Sequence, residues 1–406
     1  MASRKQKSGR KRQLHIDDPN AWEPLTPEQG KDMVNTQFFG EGTEIPEIRA
    51  NLERLGVKSL YDNFLRSVTK DARKKGWVRY EVPRWEKLSI QIKEKYSFLA
   101  NRDIWVVRPA LAEAVAHQGA LMLCREMSRR TYGPEVRVGF VGGRTPSLMV
   151  RALSRILAKE IDAENEVDYN LLPSLIHFHS LTGNINNNDP ITDPTSYFLY
   201  LAAKAKQISD ESHLEMILSS LPAPGLVLES HRKTLGSLTQ VKAAIDRIGK
   251  LDIAITSCGH FGYDHFALCD YIASSCRDGG DLADQWKATY ERLSALSGEE
   301  QVVGDIAWNY INRKGRQVQP TDSDLSVMTM LDLAALERLA TVKGRDRPTS
   351  VILLVAPCGG PACNKDGKGQ DGSKGELLSC ILGRTKPLLT HLVVDYLSAK
   401  ELLGAR

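Results

Sequence analysis

The chain has 406 residues, of which 42% are hydrophobic and 26% charged, enough for two or more domains with a sizeable core. No uninterrupted apolar run approaches the roughly 18 residues of a membrane span, so a soluble protein without a membrane-spanning helix is expected. No apolar segment follows the charges of MASRKQKSGRKRQ, so secretion is not expected and the cytoplasm is the expected location. The seven cysteines, Cys124, Cys258, Cys269, Cys276, Cys358, Cys363 and Cys380, are odd in number and scattered, which fits reduced thiols better than a disulfide framework.

The net charge of +4 is unevenly placed: residues 1–84 hold 17 Lys and Arg against 12 Asp and Glu, and the remainder 37 against 38. The excess concentrates in a tail over residues 1–30, with Arg4, Lys5, Lys7, Arg10, Lys11 and Arg12, and again between Lys58 and Arg84. Such asymmetry points to an acidic polymer partner, provided that the surrounding fold can dock on one.

Residues 31–84 have the grammar of a winged helix-turn-helix. A first helical pattern carries Met33, Val34 and Phe38 and ends near Gly40, and a second carries Ile45, Ile48, Leu52 and Leu55. Gly56 breaks the chain before a third, from about Ser59 to Lys75, in which Leu60, Phe64, Leu65, Val68 and Ala72 form the apolar stripe. Lys58, Ser59, Arg66, Lys70, Arg73 and Lys74 are then left for phosphates and base edges of duplex DNA. After Gly76, Trp77, Val78, Tyr80 and Val82 alternate with Arg79 and Glu81 as the strand of a wing would, with Arg79 a further DNA contact. A helical dimerisation or adaptor module of the same shape is the alternative.

From residue 86 to 406 strands alternate with helices, the arrangement of a largely parallel sheet covered on both faces. Strands are expected at Ile104 to Val107, Val136 to Val141, Leu175 to Ser180, Leu226 to Leu228, Ile253 to Ser257, Val351 to Val355 and His391 to Val394, with helices over Leu111 to Arg130 and Leu148 to Lys159. The most informative stretch is EVRVGFVGGRTPSLMVRALSRIL, residues 135–157. An apolar strand there meets Gly142, Gly143, Arg144 and Thr145 just ahead of a helix, so backbone N–H groups and a positive helix end converge on an anion. No GxGxxG with a following acidic residue and no GxxxxGK[ST] is present, which leaves a dinucleotide enzyme or P-loop NTPase without support. No cofactor is expected, and no metal: His177 and His179 alternate onto one face of a strand without further ligands, and Cys358 and Cys363 lack a zinc spacing.

The order of these pieces resembles the SorC/DeoR-type bacterial transcription regulators with a sugar-phosphate-binding domain. The resemblance spans most of the chain and rests on VTKDARKKGWVRYEV, VGFVGGRT, LPAP (Leu221 to Pro224), LDIAITSCGH, VVGDIAWNYINRKGRQV, LDLAALERLATV and THLVVDYLSAKELL. It implies a Rossmann-like α/β domain of the sugar-isomerase/CoA-transferase type, with the effector at the carboxyl ends of the strands. Carried over by position, Gly142, Gly143, Arg144 and Thr145 become a phosphate loop and Thr182, Gly183 and Asn184 a second loop. Gly259 and His260 match a glycine turn, Asp305 accepts from sugar hydroxyls, and Lys374 matches a lysine before the last helix. The chain departs from the pattern in KSLYDNFLRSVTK, which lacks a Ser-Arg-rich opening, in SCGHFG, and in the inserted loop from Cys358 to Ser373.

The expected function is that of a DNA-binding regulator without catalytic residues, working as a dimer or tetramer, in which a small phosphorylated or otherwise anionic sugar alters DNA affinity. The competing expectations are an isomerase or deaminase-like enzyme using Asp264, Asp305, His260 or Lys374, and a ligand-gated adaptor that has lost DNA binding.

Overall fold

The computed structural model describes residues 84–108, 111–129, 134–161, 163, 166–183, 194–261, 281–341, 349–358 and 372–404. The chain divides after Pro83, and the unit from Arg84 to Arg406 is the one described. The DNA-contact residues Lys58, Ser59, Arg66, Lys70, Arg73, Lys74 and Arg79 lie outside the described residues, as do Asn184, Asp264 and Cys363.

The described strands are β1 (Ile104–Val107), β2 (Glu135–Phe140), β3 (Leu175–Ser180), β4 (Glu215–Ser219), β5 (Leu226–Leu228), β6 (Ile253–His260), β7 (Val302–Ile306), β8 (Asn309–Asn312), β9 (Leu325–Val327), β10 (Ser350–Val355) and β11 (His391–Asp395). The helices are α1 (Glu86–Lys95), α2 (Ala112–Arg129), α3 (Arg144–Leu157), α4 (Pro194–Ala202), α5 (Ala205–Ser212), α6 (Glu229–Ser237), α7 (Thr239–Ile248), α8 (Asp281–Ser294), α9 (Leu333–Thr341), α10 (Gly375–Leu382) and α11 (Tyr396–Leu402). Seven strands form one sheet in the order β1-β11-β10-β6-β2-β3-β4, every adjacent pair parallel. The α/β class and parallel sheet are those read from the sequence.

Parallel strands covered on both faces read as continuous apolar runs, and SVILLV of β10 is buried at every position. Alternate side chains serve opposite faces. Leu354 meets α2, whose Gly119 leaves no space for a Cβ, 2.7 Å from the Leu354 side chain. Val351, Leu353 and Val355 join the second face, with Leu336 and Leu339 of α9, Leu377 and Ile381 of α10 and Ile92 of α1.

Two parts of the fold differ from the pattern expected. Leu226–Leu228 is not in the main sheet: β5 pairs antiparallel with β9 in a separate ribbon. The VGDI and NYIN segments form an antiparallel hairpin, β7 and β8, that pairs with only the last residues of β6, Cys258 to His260. An eight-residue β6 thus carries parallel neighbours at its start and the hairpin at its end.

The sheet order sets the site. From β2 the chain proceeds through α3 to β3 on one side, whereas β10 lies on the other side of β6. The crevice outside the carboxyl ends of β2 and β6 is therefore a topological switch point, where open α/β sheets hold ligands.

Candidate ligand site at the switch point

Gly142 and Gly143 leave β2 at this point and turn the chain into α3. Gly143 has φ 141° and occupies the N-cap position, a conformation that side chains rarely adopt. The hydrogen bonds of the turn can be followed one peptide at a time. The Val141 carbonyl accepts from the Tyr197 hydroxyl (2.7 Å), and the Gly142 N–H donates to Thr182 Oγ1 (2.9 Å). The Gly142 carbonyl accepts from the Trp308 indole Nε1 (3.0 Å), and the Gly143 carbonyl from the Ser147 N–H (3.0 Å). Among the described residues, the N–H groups of Gly143, Arg144 and Thr145 have no partner. Pro146, next in the helix, has no N–H to satisfy. The turn thus presents three adjacent donors at the positive end of a 14-residue helix. Thr145 is buried and Arg144 exposed, without an ion pair among the described residues.

Gly142 therefore belongs to the frame of the turn, its N–H and carbonyl both engaged. Thr182 is wholly buried and is part of that frame too, since its hydroxyl receives the Gly142 N–H. Gly183 donates to the Met328 carbonyl (2.8 Å), and a Cβ there would stand 2.4 Å from the Pro224 carbonyl, so LPAP and the Thr182 loop touch through backbone. This explains the glycine sterically.

On the β6 side, Gly259 pairs with Asp305 of β7, and a Cβ on Gly259 would meet Asp305 Oδ2 at 2.5 Å. The Asp305 carboxylate accepts from the Trp308 N–H (3.1 Å) and from the Gly259 N–H. It is buried, and loss of hydration pushes its pKa up to about 7 despite the nearby Lys374 charge and these two bonds. With its oxygens engaged by backbone, Asp305 holds the hairpin on β6 in addition to any role toward a ligand.

Lys374 stands at the N-cap position of α10, so the lysine precedes the penultimate helix and not the last. It is 7% exposed, and its Nζ donates to the Cys258 carbonyl at 2.7 Å. One bond leaves further donors on a buried ammonium. Its backbone is fixed from α11: the Lys374 N–H donates to Ser398 Oγ (2.9 Å), which donates to Asp395 Oδ2 (2.6 Å). His260 is half-buried, its Nε2 2.5 Å from the Ser373 carbonyl, which joins β6 to the segment carrying Lys374. Burial raises the Cys258 thiol to about 12, so it is neutral near pH 7.

Direct contacts join Gly142 to Thr182 and Gly259 to Asp305, Trp308 bonds to both pairs, and Lys374 bonds to Cys258 next to Gly259. Trp308, Tyr197 and Ser398 are the residues sequence reasoning missed. Trp308 lay beside a motif already singled out, whereas Tyr197 and Ser398 act through single hydroxyls on helices and carry no local signal.

Outside this site, Asp103, Glu126 and His391 could offer one ligand atom each within 4.8 Å of one another. Arg129 already contacts both carboxylates, Asp103 at 2.5 Å and Glu126 at 3.1 Å. This cluster reads as an ion-pair network.

No protein-family model and no curated protein matches the chain. Many solved structures that resemble it are sugar-binding transcriptional regulators of SorC and DeoR type, covering most of the chain at low identity. The full-length sorbitol operon regulator SorC from Klebsiella pneumoniae is 16% identical, with 93% of this chain and 99% of that one covered and a TM-score of 0.48. A probable sor operon regulator from Shigella flexneri is 18% identical, over 78% of this chain and 98% of that one, with a TM-score of 0.47. A putative sugar-binding domain of a transcriptional repressor from Vibrio fischeri is 14% identical, over 79% and 98%, with a TM-score of 0.48.

Proposed function

We propose that the switch-point site binds a small phosphorylated or otherwise anionic sugar, and that residues 31–84 read duplex DNA with an affinity that this effector changes. The observation that carries the proposal is the row of N–H groups at Gly143, Arg144 and Thr145 unpartnered among the described residues, in a turn linked through Trp308 and Asp305 to the region of the buried Lys374 ammonium. Both features favour negative charge. The motif order from the basic segment through VGGRT, LPAP and VGDI supports the regulator reading, with dimers or tetramers as the working form.

In this scheme the effector acts by preferring one of two arrangements of the oligomer, and its differential affinity limits how far DNA binding shifts. Two experiments test it. Binding to genomic DNA fragments is measured at two salt concentrations with and without a panel of sugar phosphates, and salt-sensitive binding altered by at least one of them is expected. Arg144→Ala is expected to reduce sugar-phosphate-induced thermal stabilisation while leaving DNA affinity unchanged. DNA binding that is absent under all conditions overturns the regulator reading, and an unaltered thermal shift overturns the phosphate-loop assignment.

A second reading is favoured by one observation: Asp305, raised to about 7, lies near a buried lysine, and perturbed pairs of this kind also occur in enzymes. Conversion of any sugar phosphate on incubation with the protein, abolished in Lys374→Met, would establish it.

A further inference from the structure

We infer that Trp308 is the positioning residue of the anion cradle: its indole fixes the peptide unit that aims the Gly143 N–H at the ligand. The inference rests on the anion-binding reading of this site.

In a trans peptide the carbonyl of one residue and the N–H of the next point in opposite directions within one rigid plane. The Gly142 carbonyl and the Gly143 N–H belong to one such plane. Trp308 Nε1 holds that carbonyl at 3.0 Å, so the N–H is turned away from the indole. The preceding peptide is held at both ends, by Tyr197 and Thr182, and contributes no free donor. The following one is held by Ser147 of the helix itself. Trp308 is thus a distant side chain that restrains a peptide still carrying a free N–H, and glycine on both sides supplies no rigidity of its own.

The second observation is the backbone of Trp308. The two residues joining β7 to β8, Ala307 and Trp308, have φ 51° and 66°. A two-residue hairpin with both central residues in this region selects Asn and Gly, and a bulky side chain there is strained. The turn is held by its surroundings: the Ala307 N–H donates to the Ser257 carbonyl, Asp305 accepts the Trp308 N–H, and the two hydrogens of Asn309 Nδ2 are shared between the Leu331 carbonyl and the carbonyls of Ile306 and Ala307. Glycine at position 308 would relieve the backbone and lose the indole. Strain of this kind is characteristic of functional positions, and here the strained residue bonds the cradle.

Two variants of the full chain separate positioning from stability. Trp308→Phe keeps a ring but removes the N–H, and Trp308→Gly removes both ring and strain. Inorganic phosphate is the probe for affinity. Amide exchange at Gly142 and Ser147, whose N–H groups bond within the turn, reports the order of the loop without any ligand. Both variants are expected to bind phosphate roughly ten-fold more weakly and to exchange these amides faster, although Trp308→Gly, which also loses the packing of the ring, melts lower than Trp308→Phe. A purely structural role would make affinity follow melting temperature. Wild-type affinity with wild-type exchange in Trp308→Phe overturns the inference. A wild-type protein that ignores phosphate overturns the anion reading instead, and the exchange measurement then decides the role of Trp308.

Discussion

At the scale of single residues, two buried titratable groups act on stability in opposite directions. Asp305 has its pKa raised from 3.8 to about 7 because burial strips its carboxylate of water. The folded state therefore holds a proton that the unfolded state has released between those values, and stability falls as pH rises from about 4 to about 7. His179 behaves oppositely. It is buried, its Nε2 lacks a hydrogen-bond partner among the described residues, and loss of hydration, aided by the charges of Arg247, His177 and Arg137, lowers its pKa from 6.5 to about 4. Between those values only the unfolded chain takes the proton, so stability is lost as pH falls. The two slopes oppose each other over about pH 4 to 6.5. Chemical denaturation from about pH 4 to pH 8 should show Asp305→Asn gaining stability over wild type as pH rises, by at most about 4 kcal/mol near pH 8. His179→Gln should gain toward acid. Parallel profiles for the variants and wild type would show that neither group titrates as its burial requires.

At the scale of elements, the β7–β8 hairpin shows what the sequence can and cannot reveal. Strands such as SVILLV and HLVVD are legible because burial on both faces of a parallel sheet demands unbroken apolar runs. VVGDI is not legible as a strand, since its glycine and aspartate are poor strand formers and its pairing is with a distant segment. EMILS of β4 escaped for another reason: it is an edge strand with only partial burial and Ile217 43% exposed, so neither alternation nor a continuous apolar run marks it. The site follows the same rule. Gly142 to Thr145 is local and visible, whereas the hydroxyls and indole that orient it come from residues 182, 197 and 308.

The hairpin also depends on close backbone approach. A Cβ on Gly304 would lie 2.3 Å from the Gly259 carbonyl, an atom that moves only if the strands separate. Gly304→Ala should therefore destabilise the protein by about 1–3 kcal/mol and weaken ligand binding by displacing Asp305 and Trp308. Gly298, with φ 60° and none of the described residues within 4 Å of its added Cβ, is the control. Gly298→Ala should cost roughly 1 kcal/mol and leave binding unchanged. Equal binding in the two variants would detach the hairpin from the site.

At the scale of the whole molecule, the proposed ligand site and a buried polar cluster lie at opposite ends of the sheet. The switch point gathers the glycine turns at the carboxyl ends of β2 and β6. At the opposite ends of β10 and β11, Glu126 accepts from Ser350 Oγ (2.9 Å), contacts Arg129 and lies 3.4 Å from His391 Nε2. Glu126 and His391 side chains are only 7% and 6% exposed. Glu126→Ala leaves the buried Ser350 hydroxyl without its acceptor and should cost about 1–3 kcal/mol without altering phosphate affinity below its melting temperature.

The division after Pro83 supports a stronger test of how the proposed effector binding and DNA reading are shared. The unit from Arg84 onward holds a doubly covered sheet with its own core. The basic excess of the chain lies at residues 1–84. If the proposed DNA affinity arises from neutralised phosphates, its salt dependence belongs to that excess, and the proposed effector site owes nothing to it. A chain beginning at Arg84 is expected to unfold cooperatively, to bind phosphate with wild-type affinity by calorimetry, and to lose salt-sensitive binding to duplex DNA. Retained DNA binding would move the nucleic-acid surface onto the sheet domain. Lost phosphate binding in a cooperatively folded product would place part of the site in residues 1–83.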